Sequence, residues 1–386
     1  MKKIDKELRV LLLDGLGGPM SRRGFIKRVG AAGLLLGASG FLAACGGGKE
    51  TTTTAGGGSG GTTESLSKEL YFYNWSDYIA EDTIPNFEKR FGVKVIYDNY
   101  SSNDTLLAKL QSGATGYDII VPTDYMVTTM LGLGLLQPLN LDNIPNVVNL
   151  YQRFREAPFD PGNKYTIPWQ WGTTGIGYNS AKVPDFKPSW DMLWDEQYKG
   201  RITMLTEIRD VFAVALFKLG YSPNTRDPKQ IEEAKQLLIQ QKPLLKHYTS
   251  DTYIDELASN DSWLSHGWSG DVFQAALEND AVKYAVPTEG ALTWVDSMAI
   301  PKGAPHKYTA EVFMNYICEP EVAAAISNYV FYASPNEKAE QFLDPEVLND
   351  PQIYPPKEVM DKLTWLEELG KDTELYNKAY AELKAA

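Results

Sequence analysis

The chain has 386 residues, 43% of them hydrophobic and 12% aromatic, and 37 Lys and Arg stand against 50 Asp and Glu for a formal charge of −13. Such an acidic balance lacks the basic footprint that nucleic-acid binding requires and suits a cationic ligand better. The length is enough for two lobes of ordinary domain size.

Residues 1–44 stand apart from the rest. Ser21-Arg22-Arg23-Gly24-Phe25-Ile26-Lys27 precedes an apolar, glycine-rich run and then Leu42-Ala43-Ala44-Cys45. That order marks an export signal. The first motif resembles the twin-arginine signal, and the second resembles the lipobox, whose cysteine is lipidated and becomes the new N-terminus. The apolar run 29–44 is short of the roughly 20 residues of a membrane span, so a transmembrane anchor is the weaker reading. Cleavage before Cys45 leaves 29 basic against 47 acidic residues and a formal charge of −18. With Cys45 carrying lipid, Cys318 is the remaining thiol; no internal disulfide can form, and its place in a helical run suits a small buried hydrophobe. Residues 45–66, rich in Gly, Thr and Ser without apolar periodicity, read as a flexible tether. The expected location is extracytoplasmic, lipid-anchored to the membrane on its periplasmic or cell-surface face.

From residue 67 strands and helices alternate: strand 69–75, helix 81–92, strand 93–100, helix 102–113 and strand 117–122. In the first helix Ile84, Phe87 and Phe91 form one apolar face, Pro85 suits the first turn and Gly92 closes it. This alternation predicts an α/β fold with a parallel sheet and a ligand outside the carboxyl ends of its strands. Trp75, Asp77 and Tyr78 lie beyond one such end, and residues 122–125 (Pro-Thr-Asp-Tyr) beyond another. Both loops can face one cleft. A second α/β region starts near 175, with strand 200–205, helices 210–220 and 227–242, and strand 261–268; strand 291–301 and helices 308–318 and 320–330 follow. No composition break separates the two regions, so each lobe is expected from discontinuous segments. One takes 67–174 with about 296–345, the other about 175–295 with 346–386.

Several chemistries leave no trace. There is no Walker A loop and no H-E-x-x-H motif; His247, His266 and His306 are scattered, and the glycines at 132 and 134 lack the preceding strand of a dinucleotide fingerprint. No nucleophile elbow supports a hydrolytic triad, and no flavin site is present. The expectation is a non-enzyme without cofactor or metal. Paired carboxylates for glycoside hydrolysis are not excluded on these grounds.

What recurs is an aromatic residue beside an acid at a strand end or helix start: Trp75, Asp77 and Tyr78; Glu207 and Asp210; Trp268 and Asp271; Trp294 and Asp296, two apart in a strand and therefore on one face; and Tyr332 entering a loop. Each has a structural alternative. Asp77, Asp210 or Asp271 can serve a helix N-terminus, and Trp75 or Tyr332 can be core. Their recurrence fits a cleft for a flexible organic polycation, because ring faces attract a cation by about 0.5–2 kcal/mol each.

The stretches "YNWSDYIAEDT", "GYDIIVPTDY", "TTGIGYN", "DVFAVALFKLGYSPNT", "GWSGDV", "WVDSMAIP", "VFYASPN" and "IYPP", spread from about Leu70 to Leu366, carry a further signal. Here the chain resembles the extracytoplasmic polyamine-binding proteins of ABC importers, the spermidine and putrescine receptors. The resemblance implies a two-lobed, periplasmic-binding-protein-like (type II) fold that closes on its ligand without covalent chemistry. It implies that Trp75, Tyr78, Trp268, Trp294 and Tyr332 box the methylene chain while Asp77, Asp210, Asp271 and Asp296 meet ammonium groups, with Ser76, Thr123, Tyr125, Glu207 and Leu366 completing the ligand-binding set. Trp294, Tyr125 and Glu207 look like the spermidine type; Ser76, Asp77, Asp271 and Leu366 look like the putrescine type. The expected ligand is spermidine, with putrescine also bound, and Glu207 is a candidate partner for a third amine. A membrane permease and an ATPase are the implied partners. The alternatives are a same-fold receptor for another small solute, a secreted carboxylate hydrolase, and an anchored sensor.

Overall fold

The computed structural model describes residues 64–113 and 116–386. The export motifs, Cys45 and most of the tether lie outside the described residues. The principal elements are β1 (Glu69–Trp75), α1 (Thr83–Phe91), β2 (Lys94–Tyr100), α2 (Asn103–Gln111), β3 (Ile119–Ile120), α3 (Asp124–Gly132), β4 (Thr166–Asn179), β5 (Ile202–Met204), α4 (Ile208–Lys218) and α5 (Pro228–Gln241). There follow β6 (Leu245–Tyr248), β7 (Leu264–Trp268), α6 (Ser269–Glu278), β8 (Val282–Ala285), β9 (Ala291–Ala299), α7 (Lys307–Ile317), α8 (Pro320–Val330), β10 (Leu363–Thr364) and α9 (Thr373–Ala385).

The first four elements form where the apolar periodicity places them, and the strand expected over 117–122 forms only at Ile119–Ile120. In α1 Phe87 is fully buried, Ile84 and Phe91 pack beside it, and Gly92 ends the helix at φ 69°, a left-handed conformation that costs glycine nothing. α2 is capped by Ser102, whose side chain accepts the Thr105 N–H. β1 pairs in parallel with β2 and β3, and β5 pairs in parallel with β6 and β7.

The expected parallel sheet is only half of what forms. The order is β2-β1-β3-β9-β4-β7-β5-β6, and along it β4 and β9 enter the middle antiparallel to their neighbours and to each other, with short β10 added parallel to β9. The two parallel halves therefore meet across an antiparallel pair. β4 is 14 residues long, and 13 of them are buried, so it has none of the polar alternation that marks a strand in sequence. Along its length Ile167 and Trp169 pack into a first core with Phe72, Leu106, Val127 and Phe313, whereas Ile176 packs into a second core with Met204, Val211 and Phe212. β9 runs back the same way, from Ala291 and Leu292 in the second core to Met298 and Ala299 in the first. The chain thus crosses between lobes inside continuous strands rather than in a linker.

α4 begins at Ile208, two residues earlier than its pattern predicts, because Arg209 through Phe217 are all buried and no polar face marks its start. Cys318 is a free, buried thiol; burial pushes it up to about 12, and it behaves as a small hydrophobe.

Candidate ligand-binding site

Between the two cores lies a cavity of about 700 Å³, including its open mouth. Its walls form where β1, β7 and β9 pass or end and where α2, α3, α4 and α6 begin. All fourteen ligand-binding residues expected from the sequence line it: Trp75, Ser76, Asp77, Tyr78, Thr123, Tyr125, Glu207, Asp210, Trp268, Asp271, Trp294, Asp296, Tyr332 and Leu366.

The rings meet edge to face. Trp75 ends β1, donates its indole N–H to Val121 O at 2.8 Å, and stands 5.7 Å from Trp268 at 73°. Tyr332 is T-shaped to Tyr78 (5.0 Å, 89°) and lies 5.4 Å from Trp294. Its seat is made by glycine: a Cβ on Gly270 would fall 2.5 Å from the Tyr332 ring and 2.6 Å from Val330 O, and one on Gly172 would fall 3.0 Å from the same ring. Edge-to-face packing leaves ring faces available to a third party.

The carboxylates are held by donors of different kinds. Asp296, on the same face of β9 as Trp294, accepts from Thr123 Oγ1 at 2.6 Å and Tyr78 Oη at 2.9 Å. Asp210, in the first turn of α4, accepts from Thr174 Oγ1 at 3.1 Å and Trp268 Nε1 at 3.3 Å. Asp271, in the first turn of α6, accepts from Tyr332 Oη at 2.7 Å and Tyr253 Oη at 2.8 Å. The capping alternatives are not what forms. The N-cap positions of α4 and α6 are Glu207 and Trp268, neither with a side-chain cap bond, and α1 starts at Thr83, well beyond Asp77. Asp77 instead sits in a turn at φ 52°, a conformation that Asp tolerates better than most residues.

Burial without a cation dominates the electrostatics. It pushes Asp296 up to about 7, against the pull of the Thr123 and Tyr78 hydroxyls, and Asp210 up to about 6, against the Trp268 indole and Thr174 hydroxyl. Asp124, also lining the cavity, is pushed up to about 8 despite N–H bonds from Val295 and Tyr125. Glu207 is raised well above the usual carboxylate range by burial and then by the charges of Asp104 and Asp210. Among the described residues no Lys, Arg or His lines the cavity. Arg209, next to Asp210 in sequence and buried behind the Tyr125 ring, commits its guanidinium to Glu367 O (3.0 Å), Pro223 O (3.2 Å) and Asn224 Oδ1 (3.0 Å). Such a cavity is a desolvated anionic slot with aromatic walls, and its chemical complement is a slim cation with apolar links between its charges.

The sequence reading missed Tyr100, Ser101, Asn103, Asp124, Ser250, Asp251, Ile254, Leu292 and Thr293 in the lining, and Tyr253 behind Asp271. Asp124 had a signal, its place between Thr123 and Tyr125, and Leu292 and Thr293 had one in their place beside Trp294 in β9; the others come from segments in which the sequence reading singled out no aromatic and acid pair. Groups of His, Cys, Asp and Glu able to hold a metal are absent among the described residues.

This architecture of two cores closing on a ligand cavity is that of a solute-binding protein, and residues 83–355 match the family model for bacterial extracellular solute-binding proteins. The chain belongs to that family. It is 38% identical over 318 residues to the spermidine/putrescine-binding periplasmic protein of Escherichia coli strain K12, covering 82% of this chain and 91% of that one. It is 39% identical over 326 residues to a putrescine-binding periplasmic protein of the same strain, covering 79% and 88%. Among solved structures, the spermidine/putrescine ABC transporter substrate-binding protein of Streptococcus pneumoniae superposes with a TM-score of 0.69 at 35% identity, covering 83% of this chain and 99% of that one.

Proposed function

We propose that this protein is the polyamine receptor of an ABC importer, capturing spermidine, and also putrescine, by closing two lobes on it. One observation carries the reading: a buried cavity between the lobes in which Asp210, Asp271 and Asp296 stand among five aromatic side chains, with no basic side chain in its lining among the described residues. In that setting Trp75, Tyr78, Trp268, Trp294 and Tyr332 cover the methylenes, and Asp77, Asp210, Asp271 and Asp296 take the ammonium groups. Closure excludes water, which strengthens each charge pair, while the ligand's charges offset the cost of burying the carboxylates. A micromolar complex needs only about −8.2 kcal/mol, within reach of a few charge-assisted bonds and ring contacts after ordering costs. The lobes take residues 67–174 with about 296–345, and about 175–295 with 346–386. An amino-acid ligand fits poorly, because its carboxylate would meet acids and the Arg209 guanidinium is committed to Glu367 O, Pro223 O and Asn224 Oδ1.

The relatives' names support the ligand class and its delivery to a membrane permease and ATPase. Cys45, lipidated after twin-arginine export, tethers the receptor beside them; replacing Cys45 with Ser is expected to move the protein from the membrane to the soluble fraction. No turnover is expected. The deciding experiment is thermal unfolding of the purified protein with spermidine, putrescine, spermine and lysine. At 100 times its dissociation constant a specific ligand adds about 2.7 kcal/mol of stability. A shift with spermidine or putrescine and none with lysine is expected; no shift with any amine sinks the reading, and hydrolysis of a chromogenic glycoside panel would replace it with an enzyme.

A further inference from the structure

Glu207, like Asp271 with its bond from Tyr332, reaches from one lobe to the other, and it does so onto the start of a helix. It sits between Met204 of β5 and Val211 of α4, both in the second core, and is 2% exposed. Its oxygens reach across to the first core. Oε1 accepts the backbone N–H of Asn103, the first residue of α2, at 2.8 Å, and Oε2 accepts the Tyr125 hydroxyl from the first turn of α3 at 3.3 Å. Both helices are anchored in the first core, α2 through Leu106 and α3 through Met126, Val127 and Met130. The grip continues inward. Asn103 holds Thr123 by two side-chain bonds, Nδ2 to Thr123 Oγ1 at 3.0 Å and Thr123 N to Oδ1 at 3.2 Å, and the same Thr123 hydroxyl donates to Asp296. One run of hydrogen bonds therefore joins Glu207 on one lobe to Asp296 at the cavity floor.

We propose that Glu207 is a positioning residue: it clasps the first turn of α2 and Tyr125 across the cleft, holding the lobes closed for whichever polyamine is bound rather than pairing with an amine itself. The proposal rests on the polyamine reading for its ligands, but the clasp joins two parts of the chain and does not depend on them. At the α2 start Glu207 gains the Asn103 N–H bond, which offsets part of the cost of its burial and of the nearby acids Asp104 and Asp210. When the lobes part, water takes over those bonds. The clasp thus raises the population of the closed form, and a ligand's apparent affinity scales with the fraction of protein able to receive it.

The consequence separates a clasp from an amine partner. Removing a clasp lowers affinity for a diamine and a triamine by the same factor; removing a partner for a third amine lowers the triamine's affinity alone. Calorimetric titration of putrescine and spermidine into the wild-type protein and into Glu207→Ala, Glu207→Gln and Tyr125→Phe reads this directly. Glu207→Ala is expected to weaken both ligands about tenfold, as loss of a buried hydrogen-bond partner does. Glu207→Gln keeps an acceptor for Asn103 N–H and is expected to restore part of that loss, while Tyr125→Phe, which keeps the ring, is expected to cost both ligands equally and by less. Small-angle scattering of each ligand-free protein supplies the second readout, with a larger radius of gyration expected for Glu207→Ala than for wild type. A loss confined to spermidine overturns the proposal, as does unchanged affinity for both amines with unchanged scattering. If wild-type protein binds neither amine, the polyamine reading fails; the scattering comparison then decides the clasp alone, and an unchanged radius overturns it.

Discussion

Asp210 and Asp296 serve one cavity from different kinds of backbone, and their surroundings differ accordingly. Asp210 stands in the first turn of α4, and burial raises it to about 6 against the Trp268 indole, the Thr174 hydroxyl, the nearby Arg209 charge and a backbone N–H at the helix start. Asp296 stands in mid-strand, its backbone groups engaged by the sheet. It depends on the Thr123 and Tyr78 hydroxyls, and burial carries it to about 7. A carboxylate at a helix start brings part of its own compensation. One in a strand must take it from side chains or from a ligand, so Asp296 is the acid expected to matter most to a bound cation.

The sharpest way to break this comparison is to neutralise each acid in turn. Asp296→Asn is expected to weaken spermidine binding by about 100-fold in calorimetry, the scale of losing one partner of a buried charge pair. If Asp210→Asn costs more, the contrast between strand and helix start is wrong.

Next in size is pH. A cation needs these carboxylates ionised, so affinity is expected to fall about tenfold from pH 8 to pH 6 as Asp296 and then Asp210 take up protons. The sign is opposite for the ligand-free protein. Because the folded value of Asp296 is raised from 3.8 to about 7, its contribution to stability is full below the unfolded value and is lost as pH rises through about 7. Denaturant unfolding across pH 4 to 8 is expected to show Asp296→Asn gaining on wild type as pH rises, and a parallel pair of curves would remove Asp296 from the account.

Asp210→Asn is expected to weaken binding about tenfold and to leave most of the pH dependence in place, which a titration at pH 6 and 8 would test. Tyr332→Phe is expected to have the smallest effect, about threefold. The ring wall stays, and Asp271 keeps the Tyr253 hydroxyl when it loses that of Tyr332.

Much of this was legible in the sequence where a short-range rule applies. The alternation in 69–75 gives β1, and the spacing of Trp294 and Asp296 puts both on the cavity face of β9. What stayed hidden depends on long-range partners. Nothing near Asn103 in the chain announces that its N–H meets Glu207, 104 residues away, and nothing near Tyr253 announces its bond to Asp271. The antiparallel centre of the sheet was hidden for another reason. β4 is buried on both faces along nearly its whole length, so its hydrophobicity carries no period from which a direction or partner could be read.

The glycine seat beneath Tyr332 ties together positions far apart in the chain. A side chain at Gly270 would meet both the Tyr332 ring and the Val330 carbonyl, and one at Gly172 would meet the same ring, the Ser269 hydroxyl and the Trp294 indole, so replacing the tyrosine alone frees neither codon. Across related receptors the glycine at 270 should therefore persist even where 332 carries a smaller residue, because the main chain at Val330 holds it there.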